Sequence, residues 1–168
     1  TDSIAIGKLC YADGQASIAI GRSTNSAELQ AMAIGYGAQA TESNSVAIGV
    51  SSYAASQGTA LGFWANSSGG QSLAVGRSST VSGSRATAVG SWAPIATGYY
   101  SLALGSGPNA LADYSTAIGP VARATSTHSI GIGYYANALN NTAIAIGKNA
   151  QATGANSIAI GHDAQASA

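Results

Sequence analysis

The sequence predicts an all-β fold of the solenoid kind, a parallel roll of about twelve two-strand coils. Three observations carry this expectation. A glycine recurs at 7, 21, 35, 49, 62, 76, 90, 105, 119, 133, 147 and 161, at intervals of fourteen broken by one thirteen and one fifteen. In the residues leading to each glycine, small and branched apolar side chains alternate with period two, which is a strand signature. A second set of small residues follows each glycine at the third and fifth positions. A short period held over twelve copies marks a repeat architecture, in which each unit buries its apolar face only by stacking on its neighbours.

The first strand of each unit reads clearly. The residue before the glycine is Ile, Leu or Val in every copy, and the one before that is Ala, with Gly131 the exception. Three before the glycine the residue is apolar in nine copies and is Thr59, Thr87 or Thr116 in the others. Branched residues at the large positions favour an extended chain. The second strand rests on small pairs such as Ala38 and Ala40, Ala122 and Ala124, Ala136 and Ala138, Ala150 and Ala152, flanked by polar residues. Cys10, Thr24, Ser79 and Pro108 take the first place of the pair elsewhere, while Val81 and Ile95 enlarge the second. Turn formers follow at Gly14, Gly69, Gly83 and Gly154. One coil is therefore a strand of about five residues, a turn, a second strand of about five, and a turn. Such a flattened coil has room for small side chains only, so Ala5, Ala19 and Ala33 and their equivalents should point inward.

The large apolar residues must then point out. They form two columns: Ile4, Ile18, Met32, Val46, Leu73, Leu102, Ile130, Ile144 and Ile158, and beside them Ile6, Ile20, Ile34, Ile48, Leu61, Val75, Val89, Leu104, Ile118, Ile132, Ile146 and Ile160. Twelve coils at about 4.8 Å spacing make a stripe roughly 53 Å long. A soluble monomer seldom leaves so long an apolar patch uncovered. The economical cover is the same stripe on another copy, in a symmetric homo-oligomer.

Composition narrows the function. Six Lys or Arg balance six Asp or Glu, so there is no electrostatic footprint for nucleic acid or for a membrane surface. No stretch approaches 18 consecutive apolar residues, and none reads as a signal peptide.

The pattern N-S-V-A-I-G-x-x-S, complete from Asn44 to Ser52, resembles the head-domain repeat of YadA-type trimeric autotransporter adhesins, and the resemblance extends through all twelve copies. The resemblance implies a left-handed roll and a homotrimer with the two apolar columns at its interface. It also implies display at the bacterial outer membrane by type V secretion, a part in virulence, and attachment to extracellular-matrix proteins of the collagen, fibronectin and laminin class, to host cells or to abiotic surfaces. No cofactor is implied. Residues 1–168 are expected to be a single head domain excised from a longer fibre, with neither stalk heptads nor anchor strands.

Catalysis is not expected, because His128 and His162 fall more than two coils apart and the serines sit in core columns. The stretch GSGPNA at 105–110 mimics a dinucleotide fingerprint, yet its first glycine belongs to the repeat and no helix follows. Cys10 lies in an inward column and reads as a buried, inert thiol. His162 reads as a solvated turn residue, and the N-x-S/T triplets at Asn66 and Asn140 carry no weight in a bacterial protein.

The aromatic residues avoid both the small columns and the apolar stripe. Phe63, Trp64, Trp92, Tyr99 and Tyr100 crowd the least regular stretch, which makes them the candidate ligand-binding residues. The fifteen-residue unit is expected to bulge near Tyr99 and Tyr100. Packing across turns, or covering the junction between neighbouring subunits, is the alternative role for these rings. For the whole chain the alternatives to an adhesin are a structural spacer within a fibre and an ice-binding solenoid, the latter disfavoured because Thr forms no continuous outer column.

Overall fold

In the computed structural model, which describes residues 2–167, the chain winds into twelve stacked coils. Each coil contributes one three-residue strand and one two-residue strand, from β1 (Ile4–Ile6) and β2 (Tyr11–Ala12) to β23 (Ile158–Ile160) and β24 (Gln165–Ala166). The longer strands form one twelve-stranded parallel sheet in chain order, and the shorter strands form a second. Register is constant: Ile4 pairs with Ile18, Ile18 with Met32 and Met32 with Val46, while Ala5, Ala19, Ala33 and Ala47 pair in the same way. This single pairing rule turns a period in the sequence into straight columns in space.

The strands are shorter than the expected five residues, and the turns explain why. Each coil has a glycine turn, which follows the repeat glycine, and a return turn, which leads to the next coil. Both contain left-handed residues: among the described residues, 23 non-glycine residues have φ between 45° and 62°. This conformation costs an L-residue roughly 1–2 kcal/mol and ends the extended segment. It persists because the coil-to-coil bonding continues through it. The Ser51 amide donates to the Tyr36 carbonyl at 2.8 Å in one glycine turn, and the Asn44 amide to the Leu29 carbonyl at 2.9 Å in one return turn. Serine hydroxyls close both turns further, Ser52 onto the Gly49 carbonyl at 3.0 Å and Ser72 onto the Gly69 carbonyl at 2.7 Å. That local bond explains a serine in a core column.

The interior is built mainly of alanine, with serine in many of the remaining places. Ala19, Ala33, Ala47, Ala60 and Ala74 from the first sheet meet Ala40, Ala54, Ala96 and Ala110 from the second, all without exposure. Val81, inward as expected, is the largest side chain among them. Cys10 lies in its inward column, with its sulfur 2.8 Å from the Thr24 hydroxyl, but it is half-buried rather than buried because it belongs to the first coil. Ile95 departs from expectation. It points outward and is half-buried, while Pro94 and Ala96 fill the two inward places.

The cause is the position of the extra residue. The Gly107 amide donates to the Ser91 carbonyl at 3.0 Å, and the Ala93 amide to the Arg77 carbonyl at 3.4 Å. Ser91 and Ala93 thus hold the two ordinary places of the glycine turn, and Trp92 is the insertion. The bulge expected near Tyr99 and Tyr100 lies instead at Trp92, because core register is already restored at Pro94. The thirteen-residue unit has the converse irregularity. Its return turn has three residues, Ala55, Ser56 and Gln57, where the preceding one has four, Thr41 to Asn44.

A leucine at Ala47 is expected to destabilise the roll by about 1–3 kcal/mol, the usual cost of overpacking a filled core. A thermal melt checks this, and an unchanged melting temperature would mean that the inward and outward faces are assigned the wrong way round.

Candidate functional site

Three surfaces run the length of the rod. The first is the outer face of the longer-strand sheet. There Val46 and Ile48 stack between Met32 and Ile34 on one side and Thr59 and Leu61 on the other. Each large side chain is half-covered by its neighbours above and below, whereas Ile6 and Ile160 in the terminal coils are 58% and 66% exposed. Thr59, Thr87 and Thr116 each replace an apolar residue in only one of the two columns, so the stripe narrows there without breaking.

The second surface is the edge made by the glycine turns. Phe63 and Trp64 occupy consecutive turn positions, and their rings stack with centroids 4.6 Å apart. The Arg77 guanidinium lies 6.0 Å from the Phe63 ring centre, within cation–π range. Trp92 follows two turns on, 78% exposed, beside Arg77 and Ser78 of the intervening turn and Ala93 of its own. An inserted residue has no ladder place of its own, which is why this indole stands so far out.

The third surface is the edge made by the return turns, and it holds Tyr99 and Tyr100. The five aromatic candidates therefore do not form one patch. Phe63, Trp64 and Trp92 share one edge, and the two tyrosines lie on the other. Tyr100 stacks on Tyr114 with centroids 5.8 Å apart, and Tyr114 stacks on His128 at 4.9 Å with planes 2° apart. Tyr99 meets Tyr100 edge-on at 4.4 Å. Arg85 donates to the Tyr100 hydroxyl at 2.6 Å and the Tyr99 hydroxyl at 3.1 Å, and through Nε to Gln71 Oε1 at 2.9 Å. Gln71 in turn donates to Gln57 Oε1 at 3.2 Å.

Hydrogen bonding to Tyr100 is the first reason that the Arg85 guanidinium holds its proton more tightly than usual. The Tyr99 phenol is pushed above its ordinary value, first by its hydrogen bond with Tyr100 and then by partial loss of water. Arg85, Gln71, Tyr114 and His128 were not among the sequence candidates. Their signal was present in the spacing of Gln57, Gln71, Arg85, Tyr100, Tyr114 and His128, which follow one another by one period each. All six have φ between 54° and 62°.

Matches to the family model described as the YadA head domain repeat, two copies long, fall at residues 1–24, 29–52, 55–79, 67–91, 96–122, 124–150 and 152–168. The chain belongs to the YadA head family. Each complete match spans nearly two coils. No curated protein matches the chain. Membership in the YadA head family points to an adhesin-type component of a surface fibre. The inserted Trp92 and the shortened return turn are the two departures of this YadA-type roll from its own fourteen-residue period.

Proposed function

We propose that this chain is the head of a trimeric adhesin displayed on the bacterial outer membrane, with three left-handed rolls packing their Ile/Val stripes around one axis. It acts by binding rather than by catalysis, and its targets are extracellular-matrix proteins of the collagen class. The observation that carries this reading is the apolar stripe, continuous over twelve coils on the outer face of one sheet. Burial of such a face supplies the driving force for assembly. Repetition of identical surfaces about the axis would convert weak contacts into avidity.

The test has two parts. Light scattering of the purified chain should give three times the 16.4 kDa of one copy, and the particles should be retained on collagen-coated but not albumin-coated surfaces. A stable folded monomer overturns the assembly. A trimer that is not retained overturns the adhesive role and leaves a spacer.

The glycine-turn edge contributes to that retention. Replacing Trp64 and Trp92 together by Ser is expected to leave the mass unchanged and to weaken retention about tenfold or more, the loss typical of exposed aromatic anchors. Unchanged retention would show that this edge does not contact the target, and a lowered mass would place it between subunits.

A further inference from the structure

The shortened return turn opens a groove. Elsewhere in the return turns the amide of each left-handed residue bonds the preceding turn's carbonyl, as Gln71 does to Ser56 and Arg85 to Gly70. The corresponding bond from the Gln57 amide to the Ser43 carbonyl is not formed among the described residues. The missing residue lets the two turns part, and the neighbouring turns keep the gap open because Gly70 and Ser84 are small. The result is an open groove of about 520 Å³ that runs along the return edge from Glu42 to Tyr99. That volume lies within the range of about 300–1,000 Å³ common for small-ligand sites. Its span of five turns makes it roughly 19 Å long at the coil spacing.

The chemistry of the groove is uniform. One wall is the row Gln57, Gln71 and Arg85, each hydrogen-bonded to the next and ending on the Tyr99 and Tyr100 hydroxyls. Planar amides and a guanidinium present paired donors and acceptors in fixed geometry. The row is held by its own bonds before any ligand arrives, so little side-chain freedom remains to be lost on binding. Ser43, Ser56 and Ser84 add hydroxyls along the groove. At the far end the Tyr99 ring offers an apolar face, extended beyond the groove by the Tyr100 and Tyr114 stack. Glu42 and Arg85 give the lining one charge of each sign, so it attracts neither a polyanion nor a polycation strongly. Among the described residues that line the groove there is no aliphatic side chain to receive one from a peptide.

We infer that this groove binds a neutral oligosaccharide, with vicinal hydroxyls of successive sugar rings paired to Gln57, Gln71 and Arg85 and a C–H face of one ring laid on Tyr99. A sugar chain matches the groove in length, in its alternation of hydroxyl pairs and C–H faces, and in its lack of charge. As an account of adhesion the inference rests on the surface-adhesin reading; as a binding site it stands on the groove alone.

Saturation-transfer NMR on the purified chain tests it. The neutral probes are the hexasaccharides of β-1,4-glucose, β-1,3-glucose, α-1,4-glucose and β-1,4-N-acetylglucosamine. A heparin hexasaccharide and a triple-helical Gly-Pro-hydroxyproline peptide are the charged and protein comparators. At least one neutral hexasaccharide should bind, and Gln71→Ala and Arg85→Ala should each weaken it about tenfold, the loss expected for a hydrogen bond involving a charged or buried polar group. Both variants should fold, because Ala16 occupies the same return-turn column with φ 55°. A glycine inserted between Ala55 and Ser56 restores the fourteen-residue period and should abolish binding without lowering the melting temperature. Gln151→Ala, at an exposed position on the shorter-strand sheet, should bind as the unaltered chain does. The inference is overturned if no neutral hexasaccharide binds, if only the heparin or collagen-like probe does, or if binding survives in Gln71→Ala, Arg85→Ala and the glycine insertion. Saccharide binding by a chain that neither trimerises nor adheres to collagen would uphold the groove and remove only the adhesin reading.

Discussion

Gly49→Ala is expected to disrupt the middle of the roll more than any conservative change at an outward position. The Gly49 backbone has φ 138°, and a Cβ placed there would stand 2.2 Å from the Gly62 carbonyl oxygen and 2.6 Å from its carbon. Both are backbone atoms of the next coil, so no side-chain rotation relieves the overlap. The Gly49 amide donates to the Ile34 carbonyl at 2.8 Å and the Gly62 amide to the Ile48 carbonyl at 2.8 Å, so moving the chain apart breaks the ladder on one side or the other. Left-handed strain adds to the steric cost. The sum is expected to exceed about 4 kcal/mol, a loss that single substitutions reach only through a specific structural conflict. Because each coil touches only its neighbours, the damage should begin locally. Hydrogen exchange should show early opening at residues 46–62, with a melting temperature lowered by at least about 8 °C. A melt within two or three degrees of the unaltered chain would mean that adjacent coils separate more easily than their spacing implies. The same contact recurs at Gly76, whose Cβ would meet the Gly90 carbonyl oxygen at 1.6 Å, and this close stacking of backbone on backbone accounts for the glycine in eleven copies, while at Gly161 in the last coil only the φ of 127° requires it.

Ile48→Asp is expected to abolish the proposed trimer while leaving the roll folded. Ile48 points out of the roll between Ile34 and Leu61, so its own coil loses only a half-covered side chain. In the assembly, three carboxylates would be brought together in an apolar interface without cationic partners. Burying one unpaired carboxylate costs several kcal/mol, and the like charges repel in addition. Light scattering at neutral pH should return the 16.4 kDa of a single copy, with the circular dichroism of the unaltered chain. Acidification should restore part of the assembly, because an apolar surrounding raises a carboxyl's pKa and favours its uncharged form. Gln151→Asp, at an exposed position on the other sheet, should change neither measurement. A trimer that tolerates Ile48→Asp at neutral pH would move the subunit contact away from the stripe.

Most of the architecture was legible in the sequence because it is repeated and local. Alternation with period two states which side chains share a face, and the columns of Ala33, Ala47 and Ala60 against Ile34, Ile48 and Leu61 could be read without knowing the coil's shape. The fourteen-residue period states that these columns stack. The strand lengths were not legible. Left-handed residues at Trp64, Tyr100, Val121 and His128 go against local preference and are held by bonds to the neighbouring coils.

What the sequence by itself determined is therefore the roll, its thin alanine interior and its outward apolar stripe. What only the tertiary structure decided is where the two irregular units place their extra and missing residues. An interval of fifteen says that one residue is in excess. Whether that residue is Trp92 or Tyr99 depends on which amides keep their partners in the next coil, and that is a non-local choice. The same choice sends Phe63, Trp64 and Trp92 to one edge and Tyr99 and Tyr100 to the other. It also aligns Gln57, Gln71 and Arg85 beside the gap left by the shortened turn. Neighbours in sequence are separated by a turn of the coil, while residues one period apart are brought into contact, because the hydrogen-bonded ladder fixes position along the rod more strongly than chain connectivity does.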